Sequence, residues 1–255
     1  MVDNSLSPHG GILVEKTAFL SAPLEIEDLK SLTPVSVRDQ LAHECVNIAY
    51  GFFSPLEGFM GAKDLHSVAK NMTLESGYIW SIPIVFDIAQ RELDELNLSV
   101  GQTVLLMYQN HPLATMDITE IFEYDLHSLA NDIYGTDDSA HPGVERTLNF
   151  GDRFLAGPIS LINEPQINPP FDEFWLTPRQ LRGKMHELGW NTTVAHQSRN
   201  VPHSGHEWLM KGAWLASESD GILVSAVIGE KKPGDYIDEA IVLAHDRLRK
   251  SGFFK

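Results

Sequence analysis

The stretch Val194-Ala195-His196-Gln197-Ser198-Arg199-Asn200-Val201-Pro202-His203-Ser204-Gly205-His206-Glu207 lies where a short apolar strand gives way to a helix. In an open α/β sheet, ligands collect outside the carboxyl ends of the strands, where loops lead into helix N-termini. Backbone N–H groups and the positive end of the following helix favour a phosphate or sulfate at such a junction. Arg199 can grip two oxyanion oxygens at once. Gln197, Ser198 and Asn200 offer neutral donors that fix orientation without adding charge. His203 and His206, three residues apart, share one helix face at its first turn and can reach the same ligand. His203, His206 and Glu207 could also ligate zinc, but their spacing is not the H-E-x-x-H arrangement, and no metal site is expected. Neither a G-x-x-x-x-G-K-[ST] loop nor a G-x-G-x-x-G fingerprint occurs in the chain.

Around this loop the pattern alternates between helix and strand. Thr177-Pro178 supplies an N-cap residue followed by proline at the first helical position, and Gly189 closes that helix. Residues 192–196 read as a strand and 203–217 as a helix, with Trp208, Leu209, Ala213 and Trp214 at helical spacing. Trp208, Met210 and Trp214 are expected to serve packing. The β-branched run 222–228 predicts a strand buried on both faces, and 237–250 predicts an amphipathic helix. This β-α-β-α order is the unit of a parallel sheet. Between its last two elements lies Gly229-Glu230-Lys231-Lys232-Pro233-Gly234-Asp235-Tyr236, a solvated turn or a second basic patch facing the same crevice.

Upstream, short apolar runs at 80–88, 103–108, 113–122 and 154–161 read as strands, with helices over 36–49, 62–72 and 125–134. The stretch 163–170 holds three prolines, cannot continue a helix or central strand, and is the linker candidate. Domains are therefore expected over 1–168 and 169–255.

The net charge of -16 argues against a nucleic-acid partner. Residues 1–170 hold 8 Lys and Arg against 24 Asp and Glu, whereas 171–255 hold 11 of each. The second segment thus escapes the negative field, which suits a site that admits anions, although acidic surfaces also serve solubility. With no long uncharged apolar run and no secretory signal, a cytoplasmic protein without membrane attachment is expected. Cys45 is the only cysteine, which precludes an intrachain disulfide or a cysteine-rich zinc site, and it is expected to be an inert buried thiol.

The motif Q-S-R-N-x-P-H-x-G-H at 197–206 resembles the Q-T-R-N-x-x-H-x-x-H signature of the sulfate adenylyltransferase (ATP sulfurylase) family. Gly51-Phe52-Phe53-Ser54-Pro55-Leu56-Glu57-Gly58-Phe59-Met60 is similar to its G-x-F-S-P-L-x-G-F-M segment. Tyr134-Gly135-Thr136-Asp137-Asp138 with His141-Pro142-Gly143-Val144 is similar to its Y-G-T-x-D-x-x-H-P-G-V segment. The helix from Thr177-Pro178 to Gly189-Trp190 and the turn from Val227 to Asp235 also match in order.

The resemblance implies an α/β fold: a β-rich PUA-like N-terminal domain followed by a Rossmann-like parallel α/β domain of the H-x-G-H nucleotidyltransferases. It implies attack of sulfate on the α-phosphorus of Mg-ATP, giving adenosine 5′-phosphosulfate and pyrophosphate, with Mg2+ entering as Mg-ATP and no tightly bound cofactor. By position, Ser198, Arg199 and Asn200 would be catalytic, Gln197 and Arg199 would hold sulfate, and Gln197, Asn200, His203 and His206 would hold the ATP phosphates. ATP and sulfate are the implied partners, and association into a homo-oligomer is allowed. The chain departs from the family at Ser198 (usually Thr), His196 (commonly Phe), Ser204 (frequently Arg) and Ser225-Ala226 (often His-Pro), and it has no G-R-D-H-A-G segment. The expectation is accordingly a catalytic domain incomplete at its C-terminus, with weak or no turnover. Two alternatives are an anion- or nucleotide-binding relative without activity and another H-x-G-H nucleotidyltransferase.

Overall fold

A nine-residue strand organises the first half of the molecule. The computed structural model describes residues 7–18, 29–163, 165, 167, 170–229 and 233–252, and the chain divides into units Pro8–Pro165 and Gln166–Lys255. In the first unit, β1 (Thr33–Ser36), β2 (Gly58–Phe59), β3 (Phe86–Ile88), β4 (Thr103–Tyr108), β5 (His111–Asp117), β6 (Glu120–Phe122) and β7 (Arg153–Leu161) join one sheet. β7 pairs antiparallel with β2, β3, β5 and β6, while β1 lies parallel to β4. Phe154, Leu155, Ala156, Ile159 and Leu161 of β7 are all buried, so this strand is covered on both faces.

Among the described residues, the helices α1 (Asp39–Ala49), α2 (Ala62–Asn71), α3 (Gln90–Glu95), α4 (Leu126–Tyr134) and α5 (Pro142–Leu148) accompany the sheet. The buried residues Leu41, Ala42, Cys45, Ile48 and Ala49 recur every three or four positions, which gives α1 one apolar face, packed against β7. Burial of Leu41 and of Ile48 contributes roughly 1.5–3 kcal/mol each. Cys45 is fully buried, and burial pushes its thiol well above the ordinary range.

Two of the family-like segments prove to be structural. Ser54 Oγ accepts the Val14 N–H and donates to the Gly51 carbonyl, and Gly51 has a positive φ with a Cβ position blocked by the Val14 carbonyl. His141 caps α5 by accepting the N–H groups of Gly143 and Val144, ahead of Pro142 at the first helical position.

Several expected elements differ in extent. The helix expected over 36–49 starts at Asp39, because the preceding residues are drawn into β1. The run 80–88 is strand only over Phe86–Ile88: Ile82 is exposed, and Pro83 has no N–H to give a ladder. The run 113–122 splits into β5 and β6 where the Thr119 N–H turns to the Ala156 carbonyl.

The second unit contains α6 (Pro178–Glu187), β8 (Thr193–Ser198), α7 (Ser204–Ala216), β9 (Gly221–Ala226) and α8 (Asp238–Lys250). α6 opens with a capping box between Thr177 and Gln180. β8 and β9 are parallel, in register from Thr193 opposite Gly221 to Ser198 opposite Ala226. α7 packs on both strands and α8 on β9. Asp220 fixes the start of the sheet by accepting the N–H groups of Asn191 and Thr192, which hold its carboxyl below the ordinary range.

Two packing expectations are corrected here. β9 is mostly half-buried, not enclosed on both faces, since the described residues supply one neighbouring strand. On α7 only Met210 is buried, while Trp208 is 80% exposed and Leu209 60%, because the face that meets the sheet is the one carrying Met210. Glu230, Lys231 and Lys232 of the basic turn, and Glu164, Gln166, Asn168 and Pro169 of the linker candidate, lie outside the described residues.

Candidate active site

The loop 199–203 leaves the carboxyl end of β8 and enters α7, so strand pairing fixes one end and helix capping the other. Ser198 is buried as the last residue of β8. Its carbonyl accepts the Val227 N–H and its Oγ accepts the Asn200 N–H at 3.1 Å, which folds the loop back on the strand end. Gln197, Arg199 and Asn200 are exposed at this end. Arg199 pairs through Nη2 with Asp235 Oδ1 at 3.2 Å, a partner from the turn before α8.

The start of α7 is capped by histidines where serine or aspartate is usual. His203 is the N-cap residue, and its Nδ1 accepts the Gly205 N–H at 3.0 Å. The His203 N–H in turn donates to His206 Nδ1 at 3.3 Å, so the two rings form a reciprocal capping box with centroids 3.9 Å apart. An imidazole nitrogen that accepts carries no proton, which leaves the proton of each neutral ring on Nε2. Two N–H donors and the positive end of a helix therefore belong to the same strand-to-helix junction as Arg199 and the amides. Burial and the neighbouring rings of His203 and His196 hold His206 below its ordinary pKa, in keeping with the neutral form.

Gln197, Ser198, Arg199, Asn200, His203 and His206 are thus brought to one junction. Glu207 is engaged with Lys211, and among the described residues no three His, Cys, Asp or Glu side chains are grouped to hold a metal ion.

Sequence reasoning missed three neighbours of the loop. Asp235 was read only as part of a turn. His196 packs edge-on against His206, centroids 5.8 Å apart. His245, on α8, is 8% exposed and electrostatically coupled to both His196 and His206. The available signal for His245 was its spacing from Ile241 and Val242, which puts it on the buried face of α8.

Comparison with known proteins covers both units. The PUA-like domain family matches residues 6–164, and the ATP-sulfurylase family matches residues 172–255. The sulfate adenylyltransferase of Hyperthermus butylicus is 38% identical over 247 residues, covering 96% of this chain and 62% of that protein. Those of Thermococcus onnurineus and Archaeoglobus fulgidus are 38% and 36% identical, covering 94% and 97% of this chain. The chain spans about 62% of the length of the first of these relatives. Among solved structures, a hexameric APS kinase from Thiobacillus denitrificans superposes with a TM-score of 0.73 at 20% identity, over 96% of this chain and 44% of that one, which is a likeness of fold. The strand-to-helix loop that reads Q-S-R-N-V-P-H-S-G-H lies within the residues that match the ATP-sulfurylase family, and the β-rich unit before it places the chain in the PUA-like domain family over residues 6–164.

Proposed function

We propose that this chain carries the anion-binding loop of a sulfate adenylyltransferase, which joins sulfate to the α-phosphorus of Mg-ATP and releases pyrophosphate. The observation that carries the reading is the start of α7, where capping occupies Nδ1 of two imidazoles and leaves an Nε2–H donor on each, in the same stretch that carries an arginine and two amides. The names of the similar proteins support it. We assign domains over 1–168 and 169–255.

Sulfate is a weak nucleophile and a dianion approaching a polyanion, so the reaction needs repulsion neutralised and the attack held in line. It needs no protein nucleophile. Gln197 and Arg199 would hold sulfate, with Arg199 leaving Asp235 to do so. Ser198 and Asn200 would set the loop beside the α-phosphate. His203 and His206 would donate to oxygens of the departing pyrophosphate, where charge builds in the transition state. The magnesium belongs to the substrate, with phosphate oxygens among its ligands. We also assign a cytoplasmic location, where ATP is available, and association of like chains, in keeping with the hexameric description of the similar APS kinase.

The test is pyrophosphate release from Mg-ATP. We expect any release to require sulfate or molybdate and to fall on the order of 10²–10³ or more in Arg199→Ala, as for loss of a single transition-state donor, and, where turnover is weak, sulfate binding to fall in the same variant. Release without either anion, or near-normal release by a folded Arg199→Ala protein, would overturn the assignment.

A further inference from the structure

The capping box that orients His203 and His206 also prevents them from becoming cations. Each Nδ1 accepts a backbone N–H, so protonating either ring breaks a bond that holds the start of α7. A dianion arriving at two neutral imidazoles and one arginine already engaged by Asp235 meets little net positive charge. Directly behind them, three buried ring nitrogens, His196 Nε2, His245 Nδ1 and His245 Nε2, lack a well-formed hydrogen bond, although His245 already lies close enough to the Asn200 carbonyl to feel it. Unpartnered buried polar atoms are costly and call for a physical explanation.

We propose that His245 is a positioning residue of the anion loop: on anion binding its buried imidazole takes up one proton, adds positive charge behind His206, and closes on the Asn200 carbonyl. This rests on the function proposed above. The lone pair of the neutral ring receives a proton from solvent, and no bond in the protein breaks. Both nitrogens of the resulting cation are donors, one suited to Asn200 and the other to the vacant Nε2 of His196. The groups facing His245 define its titration. β8 contributes His196, α7 contributes His206, the loop contributes the Asn200 carbonyl, and β9 carries no ionisable side chain between Gly221 and Ala226. On α8 the adjacent Asp246 is held by Arg249 and Lys250. Burial and the two neighbouring imidazoles keep His245 neutral in the free protein, while the Asn200 carbonyl favours its charged form.

Sulfate is the probe, because it remains a dianion across the relevant pH range. Titration of the histidine ring nitrogens by NMR should show His245 charging below the ordinary histidine midpoint in the free protein. At saturating sulfate the midpoint should rise by about one pH unit, corresponding to about tenfold tighter sulfate binding when His245 is charged. Calorimetry in buffers of different ionisation enthalpy should show proton uptake on sulfate binding, lost in His245→Phe. An unmoved midpoint, or unchanged proton uptake in a folded His245→Phe protein, overturns the proposal. If that variant does not fold, the titration of the unmodified protein decides alone. Absence of sulfate binding removes the proposed function and this inference together, whereas binding without proton uptake removes this inference only.

Discussion

Arg199 enters the site already paired, and that contact sets its response to substitution. The guanidinium is 56% exposed and the Asp235 carboxylate 18%, so solvent screens the pair and it is worth about 1 kcal/mol or less. An incoming dianion competes with the carboxylate for the same guanidinium. Asp235→Asn should therefore tighten sulfate binding by about threefold to fivefold, the binding equivalent of such a pair; weaker binding in a titration would show that Asp235 orients Arg199 instead. Glu44 provides a test in the first unit. Burial is the main cause that raises its pKa from 4.5 to about 7, against a hydrogen bond from Gln40 and the charge of Arg38. Between those values the folded state holds more protons than the unfolded one, so Glu44 favours folding below pH 4.5 and this contribution is lost as pH rises through 7. Glu44→Gln should raise the urea midpoint at pH 8 by the equivalent of roughly 1–3 kcal/mol, and change it little at pH 5. Equal gains at both pH values would rule out ionisation as the cause. Arg199, His203 and His206 were legible in the sequence because they fall within one short stretch, at the loop and the first turn of α7. His245 and Asp235 were not, because the β8-α7-β9-α8 crossover brings them there.

The start of α7 combines two tasks that different side chains can separate. His203 Nδ1 caps the helix, and its Nε2–H is the proposed donor to phosphate. Asparagine keeps an acceptor for the cap but places no donor at the position of Nε2. His203→Asn should therefore keep near-normal stability while losing pyrophosphate affinity, whereas His203→Ala should lose affinity and about 0.5–2 kcal/mol of stability. Denaturation and pyrophosphate titration of both variants read the two effects apart, and full affinity in His203→Asn would remove the donor role. Helix-strand alternation in the second unit was legible from periodicity, since α6, β8, α7, β9 and α8 each carry their own start signals. The short elements β1, β2, α3 and α5 were not, because pairing with β4 and β7 and local capping define them more than hydrophobic pattern does. Trp208 was misread because helical spacing shows that a face is apolar but not that anything covers it.

At the scale of the whole chain, the acidic excess falls in the first segment, whereas exposed apolar residues occur in both. Residues 1–170 carry the entire net charge of -16, while α7, in the balanced remainder, exposes Trp208 and Leu215 seven residues apart, 80% and 75% exposed. Such a pair on one helix face favours association of like chains. Sedimentation velocity should show concentration-dependent association that is reduced in Trp208→Gln and Leu215→Glu; a monomer at all concentrations would show that this face has no self-affinity. The two-part organisation was legible in the change from short strands to helix-strand alternation, whereas the β7-centred order of the first sheet was not, since it depends on pairings between distant segments. The burial of Cys45 has a practical consequence. With the chain's only thiol enclosed on the buried face of α1 and held in its protonated form, a cysteine introduced at an exposed position such as Asn200 becomes the one site a maleimide dye can reach, so the loop can be labelled without first removing a native residue.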